Sequence, residues 1–137
     1  MNSRGIKRAL TAATVTALTT VGLAMAGAPA GAASANNDSA SVGGVRGVPA
    51  TGDPSDCPSG NLCLYTGRDY SGTMYPLYKC GSYSLYNWNG FGSVANNQTG
   101  GAVGTLYNQN WSVNLSISPG TATPSWDYAP IWYARPC

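Results

Sequence analysis

Four cysteines, at positions 57, 63, 80 and 137, have the most chemistry to offer in this sequence. Thiols so placed either oxidise in pairs or bind a soft metal as thiolates. The first two close a short loop, "CPSGNLC", in which Pro58 and Gly60 turn the chain back on itself. Of three possible connectivities this favours Cys57–Cys63 with Cys80–Cys137. A zinc centre is disfavoured, because Cys80 and Cys137 stand alone rather than in closely spaced pairs. Other reactive side chains are scarce. The chain has no histidine and no glutamate, and beyond Cys57 only Asp69 and Asp127 are acidic. A Ser-His-Asp triad and a histidine-based metal site are therefore impossible. Asp69 lies beside Arg68 in a turn and Asp127 leads a terminal strand, so both read as solvated residues rather than a glycosidase pair. The chain reads as a non-enzyme, with no catalytic residues, no metal ligands and no cofactor.

Paired cysteines need an oxidising compartment, and the N-terminus supplies a route to one. Arg4, Lys7 and Arg8 precede an apolar run over 9–26, followed by the small-residue cleavage signals "APA" at 28–30 and "AGA" at 30–32. This order predicts a secretory signal peptide over 1–33 and a secreted, extracellular product. Five threonines between Thr11 and Thr20 dilute the run and argue against a retained anchor. Removal of the leader leaves four Lys/Arg against five Asp. No basic face remains to neutralise phosphates, so neither nucleic acid nor a membrane is expected as a partner. Residues 34–56 contain no aromatic residue and are rich in Ser, Ala, Gly and Asn. Such a segment has little apolar area to bury and is expected to be a flexible arm. All fourteen aromatic residues lie between Tyr65 and Tyr133, which sets the expected domain at 57–137, a monomer.

A domain this small is short of core, and cross-links are a common remedy. By loop-closure entropy the two bridges contribute about 2 and 4 kcal/mol, as upper values. No stretch shows a helical period. Short β-favouring runs alternate with turn residues instead, which predicts an all-β fold. "NLCLYT" 61–66 reads as a strand with Leu62 and Leu64 on one face and Cys63 and Tyr65 on the other. "GRDYSG" 67–72 is a tight connection and "TMYPLYK" 73–79 the return strand, with Pro76 expected at an edge or bulge. The pattern returns in "GTLYNQNWSVNLSIS" 104–118, where Leu106-Tyr107 matches Leu64-Tyr65 and Trp111-Ser112 matches Tyr70-Ser71. Val113, Leu115 and Ile117 alternate with polar residues and predict one buried face. Residues 81–101 read as a long Gly/Asn-rich connection, and 126–137 as a final strand sealed by Cys137. Two hairpins joined by a crossover suggest paired Greek keys in a small sandwich.

The spacing Tyr65-x-x-x-x-Tyr70-x-Gly72 resembles the hairpin signature of βγ-crystallin Greek keys. "CPSGNLCLYTGRDYSG" 57–72 is closer still to the opening of the secreted βγ-crystallin-like inhibitors typified by the Streptomyces metalloproteinase inhibitor, and "GSVANN" 92–97 looks like the piece that follows their crossover. The resemblance implies a stoichiometric inhibitor of an extracellular metalloprotease. It also implies a structural role for Tyr65, Tyr70 and Gly72. Inhibitory members carry the reactive bond in a disulfide-closed loop in the second half of the domain. Here no cysteine lies between 81 and 136, so the reactive loop is unassigned. Crystallin-type calcium sites need carboxylates that "WNGFGS" 88–93 and "NQNWS" 108–112 do not supply. The alternative is a cell-surface or carbohydrate-binding crystallin-like module without inhibitory activity, using aromatic rings in surplus of a small core, among Tyr75, Tyr78, Tyr83, Tyr86, Trp88, Trp111, Trp126 and Trp132.

Overall fold

The computed structural model describes residues 37–137, and the leader expected over 1–33 lies outside them. In chain order the elements are β1 (Ser41–Val42), β2 (Val48–Pro49), a 3-10 turn (Pro54–Asp56), β3 (Asn61–Tyr65) and β4 (Thr73–Leu77). They continue with β5 (Tyr83–Tyr86), β6 (Phe91–Asn97), β7 (Gly104–Asn108), β8 (Val113–Ile117), β9 (Thr121–Asp127) and β10 (Ile131–Arg135). These strands form two antiparallel sheets, ordered β2-β4-β3-β6-β9 and β1-β5-β10-β7-β8. The all-β Greek-key sandwich expected from the sequence is present, with both expected disulfides.

Strands β3–β6 make one Greek key and β7–β10 the other. Each keeps three strands in its own sheet and sends its third to the opposite one. β5 pairs with β10, and β9 pairs with β6. Neither sheet is complete without both keys, so one core serves the whole sandwich. It is built from inward-facing Leu62, Leu64, Leu77, Val94, Leu106, Ile117, Ile131 and Ala134 around Trp88 and Tyr128. Alternation along each strand delivers these side chains to the gap between sheets. Cys80, just past β4, is bonded to Cys137, just past β10, so the second disulfide ties one sheet to the other.

Three local expectations are revised. First, residues 81–101 are more than a connection, because they contain β5 and the central strand β6. In β6, residues 92–96 are all buried, Ser93 and Asn96 among them. Asn96 donates to the Ala102 and Ile117 carbonyls, which satisfies a polar group the sequence would place in a loop. Second, Val113 is 59 % exposed. The register slips from Leu106–Leu115 to Tyr107–Val113, and the extra residue, Asn114, turns Val113 to the outer face. Third, the final strand expected over 126–137 is β10 alone, preceded by a turn at 128–130 and by β9, an unexpected strand that begins at Thr121. Pro124 sits where β9 shifts register on the sheet edge, a place that needs no amide donor.

Residues 37–56, expected as part of a flexible arm over 34–56, also pair into the sandwich. β1 extends the second sheet beside β5, and β2 extends the first beside β4. Ala40 and Val42 enter the core, and the Tyr75 hydroxyl and Trp88 indole donate to the Ala40 and Ser41 carbonyls at 2.7 and 2.9 Å. Asn37 is buried. Its amide donates to the Thr66 and Phe91 carbonyls, and its side-chain oxygen accepts from the Asn89 and Gly90 amides. Backbone pairing and one amide side chain thus order a segment that lacks apolar bulk. A protein beginning at residue 50 is expected to be less stable than one beginning at residue 34 by about 3–5 kcal/mol, from the lost Val42 burial and hydrogen bonds. Urea unfolding of the two proteins measures the difference, and equal midpoints would restore the flexible-arm reading.

Candidate functional site

Each key opens with a hairpin whose tip folds back over its own sheet, and these two tips carry the side chains singled out by the sequence. In the first, Cys57 and Cys63 are bonded with Cα atoms 5.8 Å apart, and both are buried. The disulfide carries the chain from the 3-10 turn into β3. Tyr65 is buried and meets Tyr70 edge to face, with centroids 5.5 Å apart at 77°. Asp69 and Tyr70 both take positive φ, at 53° and 58°, a conformation costly for side chains of this kind. Hydrogen bonds hold it. The Ser93 hydroxyl accepts from the Tyr70 amide and donates to the Gly67 carbonyl, and the Asp69 amide donates to the Pro124 carbonyl. Gly72 has φ 80°, and a Cβ there would run into the Thr66 hydroxyl. Arg68 lies 4.3 Å over the Phe91 ring, a cation–π contact on the outside of the corner.

A carboxylate fastens this corner to the segment before it. The Tyr65 hydroxyl donates to Asp56 at 2.7 Å, while the other Asp56 oxygen accepts from the Thr51 amide and hydroxyl. Partial burial disfavours the charged carboxylate, but these donors outweigh it and hold the Asp56 carboxyl below its ordinary range. Burial, reinforced by the neighbouring Asp56, pushes the Tyr65 phenol well above its ordinary value, so it remains a donor.

The strand registers relate the two keys residue by residue. Tyr65 faces Ser93 across β3–β6, and Tyr107 faces Tyr133 across β7–β10. Trp111 takes the place of Tyr70 and shares its positive φ, here 65°. Where the first key has a serine clamp, the second has a ring. Trp111 stacks on Tyr133 with centroids 3.9 Å apart and planes within 6°, and Tyr107 packs against Trp111 at 5.7 Å. Trp111 is nevertheless 48 % exposed, so one face of the stack is open to solvent. Beside it, Asn108, Gln109, Asn110, Ser112, Pro130 and Trp132 line a shallow groove of about 510 Å³. Asn110 and Ser112 are bonded to each other, and Asn108 to Ser112 and Asn114, which fixes the tip.

Counting back from Ser93 and Tyr133, the first position of each crystallin-type calcium pattern falls on Trp88 and Tyr128. Both are buried, and they pack on each other with centroids 4.6 Å apart. Rings fill the places where oxygen donors would stand, so the residues present do not fit a calcium ion. The sequence shows that "WNGFGS" 88–93 lacks carboxylates, but not that Tyr128 is the counterpart of Trp88. The Trp111–Tyr133 stack is likewise hidden, because it depends on β10 standing in the second key where β6 stands in the first. The spacing Trp88 to Ser93, repeated in Tyr128 to Tyr133, was the available signal.

Residues 50–115 match the model of peptidase inhibitor family I36, the Streptomyces metalloproteinase inhibitor family. The matched stretch runs from the segment bonded to Tyr65, through the complete first key, to the middle of β8. No curated protein and no solved structure matches the chain.

Two substitutions test the corner. Ser93→Ala removes one acceptor and one donor from a closed site and is expected to cost about 2–4 kcal/mol in urea unfolding, against under about 1 kcal/mol for exposed Ser116→Ala. Asp56 has a folded-state pKa below its unfolded value, so its contribution is complete above the unfolded value near 4 and declines as pH falls further. Asp56→Asn should therefore flatten part of the stability loss measured between about pH 4 and pH 2. An unchanged acid limb would remove Asp56 from this role.

Proposed function

We infer that this chain is a member of peptidase inhibitor family I36, secreted by the cell, and that it acts by stoichiometric binding to an extracellular metalloprotease. The observation that carries this reading is the family match over residues 50–115, which takes in the whole disulfide corner and first Greek key. The structure supports it through rigidity. Inhibition by shape asks for no reacting group on the inhibitor; it asks for a surface already ordered before the encounter, so that little conformational freedom is lost on binding. Both disulfides, the Asp56–Tyr65 bond and the Ser93 clamp supply such order. Paired cysteines also suit an oxidising exterior. No helix among the described residues is long and apolar enough to cross a membrane.

A second reading is a surface module that binds carbohydrate and inhibits nothing. It draws on the exposed rings of Tyr86, Trp111 and Trp132, which are 54 %, 48 % and 45 % accessible. The two readings separate in one panel. The oxidised protein, titrated into thermolysin-type proteases, is expected to abolish activity at a one-to-one ratio, and to lose potency once both disulfides are reduced. Full protease activity at micromolar inhibitor, together with retention on an insoluble polysaccharide, would replace the first reading with the second.

A further inference from the structure

Because the keys correspond through their strand registers, the outer faces of the two sheets can be compared position by position. On the first sheet that face is covered. Cys57, Cys63, Tyr65, Met74 and Ala95 are buried together, with Ala50 and Tyr70 packed against them. The cover is the chain's own segment 50–57, which runs across the face, donates from the Ala50 amide to the Gly72 carbonyl, and presents Asp56 to the Tyr65 hydroxyl. On the second sheet the matching positions are Thr105 for Cys63, Tyr107 for Tyr65, Tyr133 for Ser93 and Arg135 for Ala95. No described segment runs across them; the four are half-buried, and Trp111 and Val113 beside them are exposed.

Three features of the open face indicate what fits it. The covered face supplies a template: a short peptide segment ending in a 3-10 turn, whose carboxylate takes a tyrosine hydroxyl. Tyr107 stands in the place of that tyrosine, and among the described residues no carboxylate is bonded to it. Arg135 is the one charged residue in the five strands of the second sheet, and its buried Nε has no hydrogen-bond partner among the described residues. Its terminal nitrogens, which carry the rest of the charge, have no hydrogen bond within the described residues either, and a carboxylate accepts from such a pair in two parallel bonds. Finally, Trp, Tyr and Arg are the residue types that dominate binding energy at protein interfaces. A neutral sugar would stack on the ring and offer Arg135 hydroxyl acceptors, but without the opposite charge that makes a carboxylate the stronger match.

We propose that the outer face of the second sheet, centred on Tyr107, Trp111, Tyr133 and Arg135, docks an acidic polypeptide segment carried by the target protease. The identity of the partner rests on the inhibitor reading; the chemistry of the segment does not.

The test therefore has two arms. In the first, the oxidised protein is titrated with a capped peptide of residues 50–58 carrying Cys57→Ser, with the same peptide carrying Asp53→Asn and Asp56→Asn, and with chitohexaose, following NMR signals of Trp111 and Tyr133. The acidic peptide is expected to shift both, and to bind at least about tenfold more weakly as its neutral form or to Arg135→Gln protein. No shift at millimolar peptide, equal shifts with the neutral peptide, or shifts from chitohexaose alone would overturn the proposal. In the second arm, Trp111→Asn, which keeps a residue tolerant of positive φ, and Arg135→Gln are expected to raise the inhibition constant at least about tenfold. An unchanged constant overturns this surface and leaves the inhibitor reading standing. If the parent protein inhibits nothing, the inhibitor reading fails and the peptide arm alone decides the face.

Discussion

The packing of Trp88 on Tyr128 is the contact on which the rest of the molecule depends. Each ring opens the turn between the third and fourth strands of its own key, and each turn follows a strand that has crossed into the other key's sheet. The rings meet where the two crossings converge. Their polar groups are satisfied by different parts of the chain: the Trp88 indole by the Ser41 carbonyl, the Tyr128 hydroxyl by the Ser93 carbonyl, and the Tyr128 amide by the Gly90 carbonyl. One apolar contact thus gathers β1, β6 and both crossover turns. It also fixes what the fold gives up. A crystallin-type ion would need oxygen donors at these two positions, and a core of this size takes rings there instead.

Legibility in the sequence followed the range of the interaction. "CPSGNLC" and the Tyr65–Tyr70–Gly72 hairpin could be read because each residue has a local reason: a short bridge, an edge-to-face pair, a glycine at positive φ. β6 could not. It is central and covered on both faces, so it shows no alternation, and its buried polar groups bond to distant backbone. The segment before Cys57 was hidden for a related reason. Its order comes from edge pairing and from Asn37, whose four bonds reach residues 29 to 54 positions away. Composition measures how much apolar area a segment can bury and is blind to backbone groups it can complete.

The two keys share a path and differ in what closes it. In the first, a serine hydroxyl ties the folded tip to the sheet, a carboxylate ties the sheet to the segment above, and nothing is left open. In the second, Ser93 becomes Tyr133 and Ala95 becomes Arg135, side chains too large to lie beneath a strap of the same kind. Stacking of Trp111 on Tyr133 replaces the lost hydrogen bonds and holds the tip with one ring face outward. Duplication of one hairpin thus yields two corners of unequal use: one sealed to stabilise the domain, the other finished in residues suited to contact.

That asymmetry bears on how a protein with so little reactive chemistry can be specific. Four cysteines are committed to bridges, and the acidic side chain of the corner is committed to Tyr65 and Thr51. Recognition then has to come from shape and from a few desolvated groups, and discrimination is sharpest where a buried polar atom is left unanswered by the wrong partner. The Arg135 guanidinium is the one charged group in the strands of its sheet, two residues before the Cys80–Cys137 bridge on the central strand β10. In the proposed docking, a carboxylate would answer that charge, and purely apolar surface would leave it without a counter-charge.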